Sequence, residues 1–388
     1  MTLRIFDRYI GRQVLTATLT GVAVLTGVMV LGSVYQKLDQ LLGDTHLPLL
    51  LVLKFVGLVI PFSLIFTIPW AFLTGILLVF GRMSADNEMV SLRMTGTAMW
   101  RICAPVFAMA VALSGLCLWV NVYLAPKAKN SMKRLFYDIA TSDPINLFQE
   151  GRVLDKLPGY RIYTGRRKDG ETLENLQIIK LNGTRAEKFI RARTAKIERK
   201  PGELDFVLLL RDANFEQPVV GESGAIEKVD SPYLGETAIE FPLSNLKSKI
   251  ERVNASMKTT GQLLSEARQE PDPATLVGLD AKALSAAKKE TRKQQSIAMT
   301  EVSKRFSFSL ACLTFALVGI PLGITAQRRE TTVGFILSLG TAIVYFAFIM
   351  VADTLNENAK AFPHLLMWVP NLLFLGVGGW LFWRLSKK

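Results

Sequence analysis

Residues 49–80 read LLLVLKFVGLVIPFSLIFTIPWAFLTGILLVF, a run of apolar side chains interrupted by one charge, Lys54. The hydrocarbon core of a bilayer is about 30 Å thick and needs about 20 apolar residues in a helix to cross it. Lys54 lies near the start of the run, where a lysine stem extends its ammonium to the headgroups. The stretch therefore predicts a helix that spans a membrane.

Five further runs of this kind cover residues 14–35, 100–123, 306–326, 333–352 and 363–385. Half of the 388 residues are hydrophobic while 20% are charged, so apolar and polar stretches are segregated along the chain. We predict an α-helical membrane protein with six transmembrane helices in a 3+3 arrangement. The N-terminal membrane half is 1–124 and the C-terminal half is 306–388.

The short loops predict the orientation, because Lys and Arg concentrate on the cytoplasmic side. One set of loops holds Arg4, Arg8, Arg12, Arg82, Arg93, Arg101, Arg328, Arg329, Arg384, Lys387 and Lys388. The opposite short loops hold only Lys37 and Lys360. We expect a multi-pass protein of the bacterial inner membrane, with cytoplasmic termini and a periplasmic central segment. The charged start, MTLRIFDRYIGR, is not typical of a removed signal peptide.

The central segment has the pattern of an all-β domain. Short β-branched and aromatic runs lie at 160–164, 176–181, 189–197, 204–210 and 237–241, separated by Gly- and Pro-containing turns. We predict an all-β domain over 125–260, which is a sandwich, a jelly roll or a curved open sheet, followed by a helical linker over 261–305. Side chains alternate along a strand, which places Leu204, Phe206, Leu208 and Leu210 on one face. That face lines either the core of the domain or a lipid groove.

The sequence lacks the motifs of an enzyme. It has no phosphate loop, no nucleophile elbow and no zinc-protease motif, and its two histidines, His46 and His364, are isolated. The three cysteines lie in or beside membrane helices, so we expect neither a disulfide framework nor a metal site. The basic excess of residues 124–305 suits either solubility near anionic headgroups or an acidic ligand; nucleic acid is not expected as a partner.

The most informative polar stretch, GRMSADNEMVSLRMTG, covers residues 81–96. Ser84 or Asp86 is expected to cap a short helix that ends at Gly96. Met89, Val90 and Leu92 are expected to form its apolar edge. The acidic start, with Asp86 and Glu88, favours a protein partner over a lipid surface.

This stretch resembles the coupling segment of the LptF/LptG permeases, which export lipopolysaccharide as part of an ABC transporter. Three further stretches are similar to the same family. They are Pro61 with Ile68-Pro-Trp-Ala71, then Arg305 with Gly319-Ile-Pro-Leu-Gly323, and finally Trp368-Val-Pro-Asn371. Each motif is short, but their order along nearly the whole chain is specific.

The resemblance implies a permease subunit that extracts lipopolysaccharide from the inner membrane. Its expected partners are a second permease of the same family, a cytoplasmic ATPase dimer and periplasmic jelly-roll bridge proteins. ATP and Mg²⁺ would be used by the ATPase, and this chain is expected to hold no cofactor. Asp86, Glu88, Leu92 and Arg93 are the expected coupling residues. Lys37, at the outer end of the first span, is the expected headgroup-binding cation, although an ordinary snorkelling lysine has the same pattern.

Two other functions fit the pattern of spans and domain less well. A mechanotransmitting ABC permease also has an external domain, but it usually has four membrane helices. A membrane-anchored periplasmic lipid-binding scaffold without transport would need a cytoplasmic output, and the cytoplasmic segments here are short.

Overall fold

The computed structural model describes residues 2–42, 49–142, 148, 150–154, 160–168, 172–182, 185–199, 206–220, 226–230, 232–241, 254–269, 281–325 and 331–387. The chain divides into two compact units. The helical unit comprises residues 1–33, 56–130 and 254–388, and the sheet unit comprises residues 34–55 and 131–253.

The described α-helices are numbered in chain order. They are α1 (Thr2–Leu42), α2 (Leu49–Ala85), α3 (Glu88–Met94), α4 (Met99–Trp119), α5 (Ala125–Ser142), α6 (Thr260–Arg268), α7 (Ala281–Ser309), α8 (Ala311–Thr325), α9 (Thr331–Thr354), α10 (Pro363–Leu366) and α11 (Val369–Lys387). A π-helical turn, Val120–Leu124, joins α4 to α5, and 3₁₀ turns cover Ala255–Met257 and Ala359–Ala361.

In the described part of the chain, five helical segments are long and apolar enough to cross a membrane. They are Ile5–Gln36, Leu50–Ala85, Met99–Leu135, Gly334–Thr354 and Pro363–Lys387. A bent pair, Ala283–Ser309 and Ala311–Thr325, passes the same test with a 41° bend, which makes six when the pair is one span. The predicted class, a helical membrane protein with an inserted β domain, is confirmed. The run at 306–326 is not the single straight helix that its length suggested, because the helix breaks at Leu310.

Small residues let the membrane helices approach closely. A Cβ added at Gly319 would lie 3.0 Å from Leu73 Cδ1, and one at Gly323 would lie 3.1 Å from Phe80 Cβ. Both glycines face α2 from α8, so the Gly-Ile-Pro-Leu-Gly stretch forms the contact between these helices. Packing of this kind is the main attraction between helices in lipid.

Three aromatic rings close the core where α4 meets α11. The ring centroids of Trp100 and Phe382 are 4.5 Å apart, and those of Phe107 and Phe382 are 5.7 Å apart. Phe382 is fully buried. Aromatic pairs at these separations add stabilisation beyond the burial of their area.

A buried polar cluster lies at the break between α7 and α8. The amide of Asn371 donates to Ser307 O and to Ser307 Oγ at 2.8 Å each, and Tyr345 Oη donates to Asn371 Oδ1 at 3.1 Å. All three side chains are at most 2% exposed. Their hydrogen bonds link α7, α9 and α11, because polar groups in an apolar interior are costly unless they are paired.

Arg305 extends this cluster and is only 3% exposed. Its Nε donates to Glu301 Oε1 at 3.3 Å, and its Nη1 donates to Thr260 Oγ1 at 3.1 Å. Its Nη2 donates to the carbonyl of Lys258 at 2.9 Å and to those of Ala255 and Ser256 at 3.4 Å. The guanidinium thereby fixes the segment that leads into α6 against the end of α7.

The sheet unit contains seven described strands, all paired antiparallel. They are β1 (Val153–Leu154), β2 (Tyr160–Lys168), β3 (Thr172–Asn182), β4 (Arg185–Arg199), β5 (Phe206–Val220), β6 (Ile226–Asp230) and β7 (Tyr233–Phe241). Strands β1 to β6 follow one another in the sheet, while β7 pairs with β5. Ile162, Ile178 and Ile190 stand opposite one another across β2, β3 and β4, and all three are buried.

Candidate coupling site

The short helix α3 lies between two membrane helices in the chain, and a turn at each end determines where it begins and ends. Before it, Asn87 has φ 59° and ψ 12°, the left-handed region that asparagine tolerates better than most residues. After it, Gly96 has φ 78°, and its N–H donates to Arg93 O at 2.9 Å. The end at Gly96 was predicted. The predicted cap by Ser84 or Asp86 was wrong, because Asn87 occupies the capping position without a side-chain bond.

Ser84 instead joins two helix ends. Its Oγ donates to the carbonyl of Ile324 at 2.7 Å, which ties the end of α2 to the end of α8. The last carbonyls of a helix have no partner inside it, so this bond satisfies one of them.

Two buried side chains pack helix α3 against the core. Met89 is 3% exposed and Leu92 is 8% exposed, and both belong to the large core of the helical unit. Val90 was expected on the same apolar edge but is 55% exposed, and Met94 is 85% exposed. Val90 and Met94 are four residues apart on a helix and therefore share a face. One face of α3 is thus buried, while the other presents apolar groups outward.

Three arginines, on α2, α3 and α4, are each engaged by another group. Arg82 Nη2 donates to Gln13 Oε1 at 2.6 Å, and Arg101 Nη2 pairs with Asp7 Oδ2 at 2.7 Å. Arg93, one of the predicted site residues, donates to the carbonyl of Leu385 at 3.3 Å. These contacts gather the cationic ends of α2, α3 and α4 beside the first turns of α1 and the end of α11.

Glu88 is the first residue of α3 and is half-buried. Its two carboxylate oxygens each accept from the Tyr9 hydroxyl at 3.4 Å. Among the residues that the structure describes, Glu88 makes no ion pair, although arginines lie on α1, α2, α3 and α4. Its charge is favoured by its place in the first turn of the helix. Asp86, in the preceding turn, is exposed.

The other predicted site residues lie in the sheet unit. Lys37 belongs to α1, but its side chain is outside the described residues. Leu204 and the side chain of Phe206 are outside them as well. Leu208 and Leu210 are at most 1% exposed and belong to the core of the sheet, together with Phe148, Leu173, Leu176 and their neighbours. The intervening Leu209 is half-buried, as alternation along a strand requires.

The sequence did not indicate Tyr9, Asp7 or Gln13 as part of the site. The one available signal was that Tyr9 and Gln13 lie four residues apart and therefore on one face of α1. The partner of Tyr9 is 79 residues away along the chain, and no local pattern identifies such a pair.

Comparison with known families agrees with this architecture. Residues 8–384 match the family model described as lipopolysaccharide export system permease LptF/LptG. A search of individual curated proteins found no match. The family match extends over nearly the whole chain, including the membrane helices, the sheet and α3. The chain therefore belongs to the LptF/LptG family of lipopolysaccharide export permeases.

Proposed function

We propose that this chain is one of two permease subunits that extract lipopolysaccharide from the inner membrane and pass it to a periplasmic jelly-roll bridge. Family membership supports the substrate and the transporter role. The five candidate spans, or six with the bent pair, support a membrane subunit, and the family's role in an ABC transporter supports pairing with a second chain. Such a pair would be driven by an ATPase dimer, which would use the ATP and Mg²⁺.

The proposed orientation places both termini and α3 in the cytoplasm and residues 125–305 in the periplasm. Contacts of the basic side chains support it. Arg82, Arg93 and Arg101 each contact residues at one end of the helical unit, where Arg8 and Arg12 on α1 and Arg384 and Lys387 on α11 also lie. Such a cluster is typical of a cytoplasmic face.

A cysteine placed at Lys168 tests this orientation. Lys168 is exposed at the end of β2, so a thiol there is accessible to reagents. In a variant that lacks Cys103, Cys117 and Cys312, we expect an impermeant thiol reagent to label residue 168 in intact spheroplasts. Labelling that appears only after lysis would contradict the periplasmic position.

We propose Glu88 as the docking carboxylate for the ATPase. The observation that carries this proposal is that Glu88 lacks an ion pair, within the described part of the chain, at the one end of the helical unit that gathers arginines. A carboxylate left without a cation is available to one on a partner. Val90 and Met94 add exposed apolar surface on the same helix, which a partner would cover.

Lys37 remains the proposed contact for headgroup phosphates of the outer leaflet, because its position on α1 follows the apolar part of the first span. Leu204, Phe206, Leu208 and Leu210 remain the proposed apolar lining of the β domain. The burial of Leu208 and Leu210 favours a core position for these two side chains.

The docking proposal is tested by Glu88→Gln, which keeps the shape of the side chain but removes its charge, and by Glu88→Lys, which reverses the charge. If Glu88 meets an arginine in a desolvated cleft, the loss is on the order of 2 to 5 kcal/mol of association. If Glu88 only interacts with the helix dipole, the loss stays below about 1 kcal/mol and the complex survives. The measurements are co-purification of the ATPase and ATP-driven release of lipopolysaccharide.

Glu290→Gln is a matched control. Glu290 is an exposed glutamate on α7, where it accepts a bond from Gln294 Nε2 at 2.9 Å. We expect this variant to keep both activities. Wild-type binding and transport by both Glu88 variants would refute the docking proposal.

A further inference from the structure

The first turns of α1 make polar contacts with α3 and with the helices that precede and follow it. Tyr9 donates to both oxygens of Glu88 on α3, Asp7 pairs with Arg101 on α4, and Gln13 accepts from Arg82 on α2. The span that begins the chain is therefore joined to the site by three separate links. Only the one from Tyr9 reaches the carboxylate itself.

The orientation of Tyr9 is fixed by the core. Ile10 and Val14 on the same helix are at most 1% exposed, and both belong to the cluster that also contains Met89 and Leu92. These buried neighbours set the rotation of α1 about its axis. Tyr9, which is 40% exposed, is thereby held at the edge of the core with its hydroxyl towards Glu88.

A phenol suits this position better than a cation would. A tyrosine hydroxyl is neutral at physiological pH and has one proton to donate, so it orients a carboxylate without cancelling the negative charge. The hydroxyl oxygen is 3.4 Å from each carboxylate oxygen, which leaves the other acceptor sites of Glu88 open. An arginine in this place would neutralise the group that the partner is proposed to recognise.

We propose that Tyr9 is the positioning residue for the docking carboxylate. It orients Glu88 for a guanidinium of the ATPase, and it carries the displacement of α3 directly to α1. This inference rests on the proposed docking of Glu88. It adds a route by which the first membrane helix responds to the nucleotide cycle without passing through α2 or α4.

The test is Tyr9→Phe in the assembled transporter, with the paired permease and the ATPase present. Loss of a bond to a charged group lowers the lipopolysaccharide released per ATP hydrolysed by about three- to tenfold. We expect the ATPase to co-purify and the melting temperature to stay unchanged, because the ring is kept. An unchanged ratio of lipid released to ATP hydrolysed would overturn the proposal, as would a loss that is matched by a lower melting temperature.

Tyr35→Phe is the matched control. Tyr35 lies on the same helix, is 78% exposed, and its hydroxyl has no bond among the described residues. Tyr35→Phe should keep the wild-type ratio of lipopolysaccharide released to ATP hydrolysed. A loss of the ratio in Tyr35→Phe equal to that in Tyr9→Phe would overturn the assignment to Tyr9.

The double variant Tyr9→Phe/Glu88→Gln separates the proposed role of Tyr9 from the proposed docking of Glu88. If Tyr9 acts through Glu88, Tyr9→Phe should have no further effect on the ratio once Glu88→Gln is present. If the two substitutions lower the ratio independently, so that their effects multiply, the positioning role of Tyr9 is overturned. A defect in Glu88→Gln with wild-type behaviour in Tyr9→Phe would leave docking intact and reject only the role of Tyr9. Wild-type behaviour in Glu88→Gln would reject docking itself.

Discussion

The two ends of α4 are held by different kinds of polar contact. Near its start, Arg101 pairs with Asp7 through side chains that are 49% and 30% exposed. Just beyond its end, Asn121 is 7% exposed, and its amide donates to the carbonyl of Arg305 at 3.4 Å. Exposed ion pairs are weak, whereas buried networks are costly to disrupt. The comparison indicates that a buried polar network fixes the end near Arg305, while the exposed polar contact at the end near α3 adds little to stability.

The largest expected effect is at the fixed end. Arg305→Gln removes most of the donors of the buried guanidinium. Glu301, Thr260 and the carbonyl of Lys258 then lose the partner that Arg305 provides. We expect it to lower the free energy of unfolding by about 3 to 5 kcal/mol. Thermal unfolding of the detergent-solubilised complex measures the change. Arg292→Gln, at an exposed position on the same helix, should stay within about 0.5 kcal/mol of wild type. Equal stability of the two variants would remove the contrast between the ends.

A smaller loss is expected from Asn371→Ala. This change removes the amide that donates to Ser307 and accepts from the Tyr345 hydroxyl, so the buried cluster loses these hydrogen bonds. We expect the loss of these buried bonds to cost about 1 to 3 kcal/mol, measured by the same unfolding experiment. Asn358→Ala is the comparison, because Asn358 is exposed and caps a 3₁₀ turn, and its loss should stay below about 1 kcal/mol. A larger loss at Asn358 than at Asn371 would count against a fixed end built on burial.

The smallest effect is expected from the exposed ion pair at the end near α3. Asp7→Asn breaks the ion pair with Arg101 but leaves both side chains partly in solvent. The free energy of unfolding should fall by less than about 1 kcal/mol, and the difference should shrink further in about 1 M salt, where screening is strong. Melting curves at low and high salt measure this. A loss comparable to that of Arg305→Gln, insensitive to salt, would show that the ion pair at the α3 end contributes as much to stability as the buried network does.

Local patterns were sufficient for most of the fold. Apolar runs of membrane length predicted the spans, and β-branched runs between turns predicted strands that the structure extends, such as 189–197 within Arg185–Arg199. The end of α3 at Gly96 followed from the conformational freedom of glycine. These features depend on residues close together in sequence, so a single sequence contains the information.

Features that depend on distant partners were not predictable. Ser84 looked like a helix cap, but its hydroxyl bonds Ile324, 240 residues away. Val90 looked like part of the buried edge because it is apolar, but it is exposed, and the buried residues of α3 are Met89 and Leu92. The fourth span appeared continuous because its break at Leu310 involves no proline or glycine at that position.

The aromatic closure around Phe382 also has a consequence for the order of synthesis. Helix α11 supplies Phe382 to the rings of Trp100 and Phe107, and it supplies the Leu385 carbonyl to Arg93. This helix follows every other helix along the chain, while α3 is translated almost 300 residues earlier. Chains emerge from the ribosome N-terminal part first. The contacts around α3 are therefore completed only after α11 has been inserted, so a nascent chain that lacks α11 has an incomplete surface around the carboxylate that we propose for docking.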